Sequence, residues 1–370
     1  MASRWARILV VAIVGLVLSL AEGQGQEASR LGRSALLFGE VTVAPIRDIA
    51  EWSGAELDWQ PPTVAITKGD KRIELSIGDK TARINGETIQ LATEPRVVNG
   101  TAYAPLRFLA EAFGLRVEFD EPSSEVVLHA DAQTVRLTVE LGNIPKWWPR
   151  GVPATLDNVK DMEGREILDL IARKKLEVKT EGSGIRTVGV KVRRLVNHRI
   201  RVRIPGGTFF VSSRESSQNM VTTGEASVVL DNDRWVSVDV SAACANRLRD
   251  IPGSEDKFEI QQSPNQEELA RLLPALRRAN VDFAVQQAAI WIVTDDADYD
   301  DLGMLVRRPA FQVFGGERTI KEYEVAKAMK ICDRSGIDIT KKAIWQDRDR
   351  ILQGLRDKDL KKWLLERASK

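Results

Sequence analysis

The pattern of hydrophobic and polar positions changes its period along the chain, and each change predicts a different kind of element. Apolar residues recur at helical spacing in two short segments, 46–50 and 106–113, and an alternating, strand-like stretch follows each of them. Short alternating segments separated by turn residues fill 185–242, which predicts a series of strands. From residue 264 onward, helical periodicity returns in three segments, so the C-terminal part is predicted to be helical.

The two helix-then-strand segments form an internal repeat. VAPIR at 43–47 matches YAPLR at 103–107, and the match continues through the helix, a glycine and the next strand. After a slip of two residues, 63–77 matches 125–139. The agreement extends over a whole supersecondary unit. We therefore predict two similar β-α-β-hairpin units.

Turn and cap residues support the same two units. A proline stands near each predicted helix start, where its missing N–H costs no hydrogen bond. Gly54 and Gly114 follow the two helices and are predicted to end them in the left-handed conformation. Asn85-Gly86 and Asn99-Gly100 are each predicted to form a tight hairpin turn.

A family resemblance rests on these segments. INGETIQL at 84–91, followed by VVNGTAYAPLRFLAEAFGLRVEFDEPSSEVVL at 97–128, resembles the copper amine oxidase N-terminal domain-like family over about residues 35–141. The resemblance implies an α+β fold of small antiparallel sheets and short helices. It also implies an accessory module, common in exported bacterial proteins, that lies remote from the copper in the enzymes that gave the family its name. No catalytic residue is implied.

The whole chain is predicted to be α+β: a duplicated β-α-β-hairpin module, then a β-sandwich-like domain and a helical C-terminal region. The predicted boundaries are a signal peptide at 1–23, the N-terminal domain at 32–142 with repeats at about 35–80 and 82–141, a linker at 143–154, the sandwich at 155–262 and the helical region at 263–370.

The first residues have the pattern of an export signal. Arg4 and Arg7 precede an unbroken apolar run at 8–20, and small residues follow it. The run has the length of a signal-peptide core and is short for a membrane span. We predict cleavage after Ala21 or Gly23, no transmembrane span in the mature chain and a location outside the cytoplasm, in the cell envelope. An uncleaved anchor is the alternative.

Charge and histidine count exclude several functions. A formal net charge of +1, without a long basic block, does not favour nucleic acid as a partner. The chain has two histidines, His129 and His198, whereas the copper site of the amine oxidases needs three. We therefore predict no copper, no other cofactor and no amine oxidase activity, and both histidines are interpreted as ordinary surface residues.

An acidic segment is the one candidate metal site. TDDADYDDLG at 294–303 places Asp296, Asp298 and Asp300 at the alternating spacing of a calcium loop. An EF-hand is excluded, because Asp301 and Arg307 stand where that loop needs glycine and glutamate. The competing interpretation is an acidic turn before a helix start, where carboxylates suit the helix dipole.

Two cysteines and one glutamine form the last candidate site. VQQAAIW at 285–291 resembles the glutamine-containing segment of bacterial surface thioester domains, which implies a thioester between Cys244 and Gln287. In an exported chain, Cys244 and Cys332 are also candidates for a disulfide. Free buried thiols are the third alternative, with Gln287 as a polar residue of a buried helix.

These observations predict an exported, non-catalytic envelope protein with a binding or structural role. Its partner is predicted to be a cell-wall polymer or a surface protein. The alternatives are a covalent surface adhesin built on the thioester, or an enzyme of unknown class in the C-terminal half.

Overall fold

The structure, a computed structural model, describes residues 29–131, 133–247, 249–303 and 318–369. The chain divides into two compact units, residues 1–143 and 144–370, each of which is considered by itself. Strands and helices occur in both units, so the predicted α+β class is confirmed, as is the helical C-terminal region. The predicted signal peptide lies outside the described residues.

The first unit consists mainly of short strands with two short helices. Their bounds are β1 (Ser29–Arg30), β2 (Ala35–Phe38), β3 (Val41–Pro45), α1 (Ile46–Trp52), β4 (Glu56–Gln60), β5 (Thr63–Lys68), β6 (Lys71–Ser76), β7 (Thr81–Ile84), β8 (Glu87–Gln90), β9 (Arg96–Val98), β10 (Thr101–Pro105), α2 (Leu106–Phe113), β11 (Arg116–Asp120), β12 (Glu125–Ala130) and β13 (Gln133–Leu141).

Two sheets make up this unit. One has the strand order β11-β12-β13-β2-β3-β10-β9, with β1 pairing with β13, and the other is the meander β4-β5-β6-β7-β8. At the centre of the first sheet, β3 and β10 pair antiparallel, so that Ala44 faces Ala104 and Val43 faces Pro105. Helices α1 and α2 bury Ile49 and Leu109 completely, because their apolar residues fall on one face.

Glycines end both helices of this unit, as predicted. Gly54 has φ +73° and Gly114 has φ +69°, the left-handed region that L side chains rarely adopt. In the residue after each glycine, the backbone N–H donates to a carbonyl five residues back, Ala55 to Ala50 and Leu115 to Ala110, both at 2.8 Å. The two Asn-Gly pairs also have positive φ, which is the backbone of the predicted hairpin turns.

The second unit combines nine strands with seven α-helices in its described part. Their bounds are α3 (Leu156–Glu163), β14 (Arg165–Glu166), α4 (Ile167–Ala172), β15 (Leu176–Gly182), β16 (Thr187–Arg194), β17 (Ile200–Ile204), β18 (Thr208–Ser212), β19 (Asn219–Thr222), β20 (Ala226–Leu230), β21 (Val236–Ala245), β22 (Phe258–Gln262), α5 (Gln266–Ala279), α6 (Phe283–Thr294), α7 (Glu322–Arg334), α8 (Arg348–Gly354) and α9 (Lys358–Ala368).

One apolar core joins the strands and the helices of the second unit. The strands form a six-stranded sheet, β15-β16-β21-β19-β18-β22, and a three-stranded sheet, β14-β17-β20. Helix α6 packs against β21, α5 and α7, and the core runs continuously from Ile167 to Leu364. The predicted boundary between a sandwich and a helical region, at 262/263, stays a prediction. None of the helices among the described residues is long and apolar enough to cross a membrane.

Candidate functional site

A cleft in the first unit is the best candidate for a ligand site. Its volume is about 220 Å³. Aromatic, apolar, basic and acidic side chains meet around it, which is the mixture that ligand sites use for both contact area and orientation. The lining residues are Arg33, Ile46, Arg47, Asp48, Leu57, Trp59, Val64, Gly100, Thr101 and Ala102.

The local structure explains why these residues meet. β4 is an edge strand, and its alternation places Leu57 and Trp59 on one face, both half-buried, between exposed polar residues. Trp59 lies opposite Val64 of β5, which is completely buried and forms part of the floor. The first turn of α1 supplies Arg47 and Asp48. Gly100, in the turn before β10, and the first two residues of β10 also line the cleft.

Only one of the two arginines at the cleft is neutralised. Arg33 donates to the Asp48 carboxylate at 2.7 Å, and that carboxylate is mostly buried. Burial and then the nearby Asp48 charge raise the pKa of Tyr103, which therefore stays a neutral phenol. Arg47 is exposed and forms no ion pair with any residue that the structure describes. The cleft thus presents an uncompensated positive charge beside an indole ring.

The arrangement suits binding better than acid–base chemistry. The ionisable groups that line the cleft are two arginines and one aspartate. Arginine does not exchange protons near neutral pH, and Asp48 is already held by Arg33. The cleft is also smaller than the roughly 300–1,000 Å³ of sites for drug-sized ligands, so it fits a single ring or a group of similar size.

A second cavity, in the second unit, has a less specific lining. Its volume is about 280 Å³, and it lies near the ends of β19 and α5 and beside the middle of β21. No aromatic ring and no carboxylate lines it, so it offers little to orient a ligand. The lining residues are Thr223, Gly224, Ser241, Leu276, Arg277, Asn280, Val281 and Gln286.

The three aspartates of the predicted calcium loop do not converge. Asp296 accepts a hydrogen bond from a backbone N–H in a distant 3₁₀ helix, and Asp298 accepts one from the Asp301 N–H. Asp300 pairs with Arg350 at 2.9 Å. Among the described residues, no group of three or more His, Cys, Asp or Glu side chains is arranged to hold a metal ion. The positions agree with the interpretation as an acidic turn.

Cys244 and Gln287 are in contact, but the Gln287 side-chain amide meets the Cys244 backbone and not its thiol. The Gln287 side chain accepts a hydrogen bond from the Cys244 backbone N–H at 3.0 Å and donates one to its C=O at 2.8 Å. Cys332 lies on α7, and its sulfur contacts the carbonyl of Ala289 at 3.9 Å. Both cysteines are free and buried. Burial is the main cause that raises the pKa of each thiol to about 12.

The interpretation of His198 as a surface residue was wrong. His198 is 4% exposed, and its Nε2 lies 2.8 Å from the carboxylate of Asp161, which is fully buried. Asp161 also accepts hydrogen bonds from Arg165 and Lys175, both at 2.6 Å. The imidazole is buried because it completes the hydrogen bonding of this carboxylate. His129, in contrast, is half-buried at the end of β12 and bonds to Thr134.

These side chains belong to a partly buried charge network. Asp157 and Asp169 extend it, and Arg173 bridges them, so three carboxylates meet three permanent cations. Burial alone would raise the pKa of Asp161, but hydrogen bonds from His198 and Lys175, and the charges of Lys175 and Arg165, lower it. The network therefore holds charged groups in place between α3, α4 and the start of β15.

Sequence reasoning missed both the network and the cleft. The network has a visible signal, since Asp157, Asp161, Arg165, Asp169 and Arg173 recur at intervals of four. The cleft has a weaker one, which is an aromatic residue alternating with polar residues in a strand after the first helix. The partners that complete the cleft come from separate segments, and the local pattern does not name them.

The first unit is thus a small α+β unit of paired sheets with a ligand-sized cleft. Residues 25–128 match the family described as Copper amine oxidase N-terminal domain, so the first unit carries that domain and the predicted resemblance is confirmed. No curated protein and no solved structure matches the chain. No comparison supports the resemblance of 285–291 to thioester domains.

Proposed function

We propose that the protein is an exported, non-catalytic binding protein of the cell envelope, and that its N-terminal cleft takes one ring of an acidic cell-wall glycan. One observation carries the proposal: the half-buried Trp59 stands beside the uncompensated Arg47 over an apolar floor. An indole face packs against the C–H face of a sugar ring, and a guanidinium pairs with a carboxylate or phosphate. Export is proposed from the apolar run at 8–20.

The ion pair at the rim supports the glycan as ligand. Arg33 and Asp48 are held together at 2.7 Å and still have free hydrogen-bonding capacity at the rim. Sugar hydroxyls both donate and accept, so they can use an arginine and an aspartate side by side. A simple polyanion has acceptors only, and the negative charge of the Asp48 carboxylate would repel it. The lining therefore favours a sugar that carries acidic groups over an acidic chain without rings.

The test is a binding titration with defined probes. The protein without residues 1–23 is titrated calorimetrically with short oligogalacturonates, maltooligosaccharides of equal length and poly-L-glutamate. We expect saturable binding of the oligogalacturonate alone. Trp59→Ala should weaken it about tenfold or more, because truncated aromatic anchors often cost over 1 kcal/mol. Trp147→Ala is the control, since Trp147 is 70% exposed and belongs to the second unit.

Two results would overturn the proposal. One is equal binding of all three probes, which would mean that the binding is non-specific. The other is a Trp59→Ala variant that melts like the wild-type protein and binds oligogalacturonate equally well. Arg47→Gln provides a second check, because it removes the charge from an exposed position without touching the core.

A covalent surface adhesin is the second candidate. The observation that favours it is the contact between Gln287 and Cys244. Thioester formation needs the Cys244 sulfur to attack the side-chain carbonyl carbon, with ammonia as the leaving group. Here the amide is held by the Cys244 backbone, and the raised thiol pKa disfavours the thiolate that would attack. We therefore rank the adhesin below the binding protein.

A further inference from the structure

The strand register suggests a local two-fold axis in the first unit. In the pairing of β3 with β10, Val43 faces Pro105, Ala44 faces Ala104 and Pro45 faces Tyr103. The sequence repeat matches Ala44 with Ala104, Val43 with Tyr103 and Pro45 with Pro105, so this matching turns the Val43–Pro105 pair into the Tyr103–Pro45 pair. Each strand therefore pairs with its own counterpart, and a half turn about an axis through the Ala44–Ala104 pair exchanges the two strands.

Contacts farther from the axis follow the same exchange. β13 runs parallel to β2, where Val139 is paired with Ala35. At the matching place in the other half, Gly78 donates its backbone N–H to the carbonyl of Pro95 at 2.8 Å. The hydrogen bonds that close α1 and α2 are also equivalent, as described above. The exchange thus extends from the central strands to the outer ones.

We propose that this exchange gives the unit a second binding site, formed by Arg107, Val117 and Phe119, and that one acidic glycan chain occupies both sites. The inference rests on the proposed function of the cleft. Arg107, Val117 and Phe119 are the counterparts of the cleft residues Arg47, Leu57 and Trp59 in the repeat. Each half thus offers an arginine in the first turn of a helix, and an apolar residue and an aromatic ring on an edge strand.

Arg107, Val117 and Phe119 are solvent-exposed, as residues of a ligand-binding surface would be. Val117 is 40% and Phe119 is 46% exposed, and both lie on one face of β11, an edge strand. Neighbouring exposed apolar side chains on an edge strand are typical of a binding surface. Arg107 is also exposed and forms no ion pair with the residues that the structure describes.

The occupant follows from the chemistry of the two sites. Both combine an arginine with an aromatic ring, and both belong to one compact unit. A ligand made of repeating units presents the same ring and the same charge many times, so one chain can reach both. Binding at the second site is then intramolecular, and the affinity can rise by about 10²–10⁴ without any new kind of contact. A single sugar unit gains nothing from this arrangement.

The experiment compares chain lengths. Oligogalacturonates of two or three units and of about twenty units are titrated into the wild-type protein, Phe119→Ala, Trp59→Ala and the double variant. We expect the long chain to bind wild type at least tenfold more tightly than the short one. Phe119→Ala should lower the number of short-chain sites from two to one and remove the advantage of length. Leu365→Ala is the matched control, an exposed apolar residue of the second unit.

The outcomes separate this inference from the proposed function. If Trp59→Ala does not affect the short oligomers, the proposed function fails. If it does, but Phe119→Ala and Arg107→Gln leave the long-chain advantage intact, the second site alone is refuted. Sedimentation of wild type and Phe119→Ala excludes the other occupant: a dimer that Phe119→Ala dissociates would make this face a contact between two copies of the chain and overturn the inference.

Discussion

The side chain of Gln287 pairs with the backbone of Cys244 in the way that a neighbouring strand would. Its amide oxygen accepts from the Cys244 N–H, and its amide nitrogen donates to the Cys244 C=O. On this side of β21 the pairing with β16 ends at Ser241, while β19 continues to pair on the other side. Gln287 thus satisfies two buried backbone groups and fixes α6 on the sheet.

Replacing this glutamine should destabilise the protein strongly. Gln287→Leu keeps the size and apolar fit but leaves the Cys244 N–H and C=O without partners, at about 1–3 kcal/mol for each group. The free energy of unfolding, measured with urea, should fall accordingly. Gln286→Leu is the control, because Gln286 is half-buried and next in sequence. Equal losses in the two variants would contradict the assigned role of Gln287.

Thiol titration should find two free, unreactive cysteines. Burial raises the pKa of Cys244 and Cys332 to about 12, so neither forms an appreciable thiolate at pH 8. A thiol reagent should therefore label none in the native protein and two after denaturation without reductant. No labelling after denaturation would reveal a disulfide. A single label, together with a mass that lacks ammonia, would reveal the thioester.

Because of the network around Asp161, the free energy of unfolding should fall at acidic pH. The pKa of Asp161 is lowered in the folded state, so its contribution is present above the unfolded-state pKa of about 3.9 and is lost as pH falls through the lower folded value. At pH 7, Asp161→Ala should cost about 3–5 kcal/mol, because it leaves Arg165 and Lys175 without this partner.

The pH profile of that variant separates the network from a packing effect. The stability difference from wild type should begin to shrink below about pH 4, where the unfolded chain takes up a proton at Asp161, and should vanish below the lower folded-state pKa. Asp349→Ala is the control: this side chain is 77% exposed and should change stability by less than about 0.5 kcal/mol. A pH-independent loss in Asp161→Ala would point to a cavity instead.

The left-handed glycines should resist substitution for conformational reasons alone. Gly114 has φ +69°, and a Cβ placed there would have nothing within 4 Å. Gly114→Val should therefore lower the free energy of unfolding by about 1 kcal/mol or more through backbone strain. Gly114→Asn should lower it less, since asparagine tolerates this region. The control is Gly32→Val, at an equally open position without a positive φ. Similar losses at both positions would refute the cap assignment.

Local rules explain what the sequence predicted well. Gly54, Gly114 and the two Asn-Gly turns were recognised because their backbone conformations follow from a few neighbouring residues. The match between the two VAPIR-like segments located both short helices for the same reason. The helical C-terminal region follows from periodicity, which is again a property of contiguous residues.

The errors concern residues whose partners lie far along the chain. His198 sits in a turn-like segment, but Asp161, 37 residues earlier, draws it into the interior. Arg33, Asp48 and Trp59 line the cleft together with Gly100, which lies about forty residues after Trp59 in the sequence. Local periodicity does not predict that these segments come together. Likewise, a resemblance brought Gln287 and Cys244 together, but only the fold shows that the amide meets the backbone instead of the sulfur.

Helix α6 has a consequence for how the protein is made. Nearly all its side chains from Val285 to Val293 are buried. One of the elements that packs against it is α7, which begins only at Glu322. A chain synthesised from its N-terminus exposes one side of this apolar helix until α7 has emerged. A chain truncated before Glu322 lacks α7 and leaves that side of α6 uncovered, which favours aggregation.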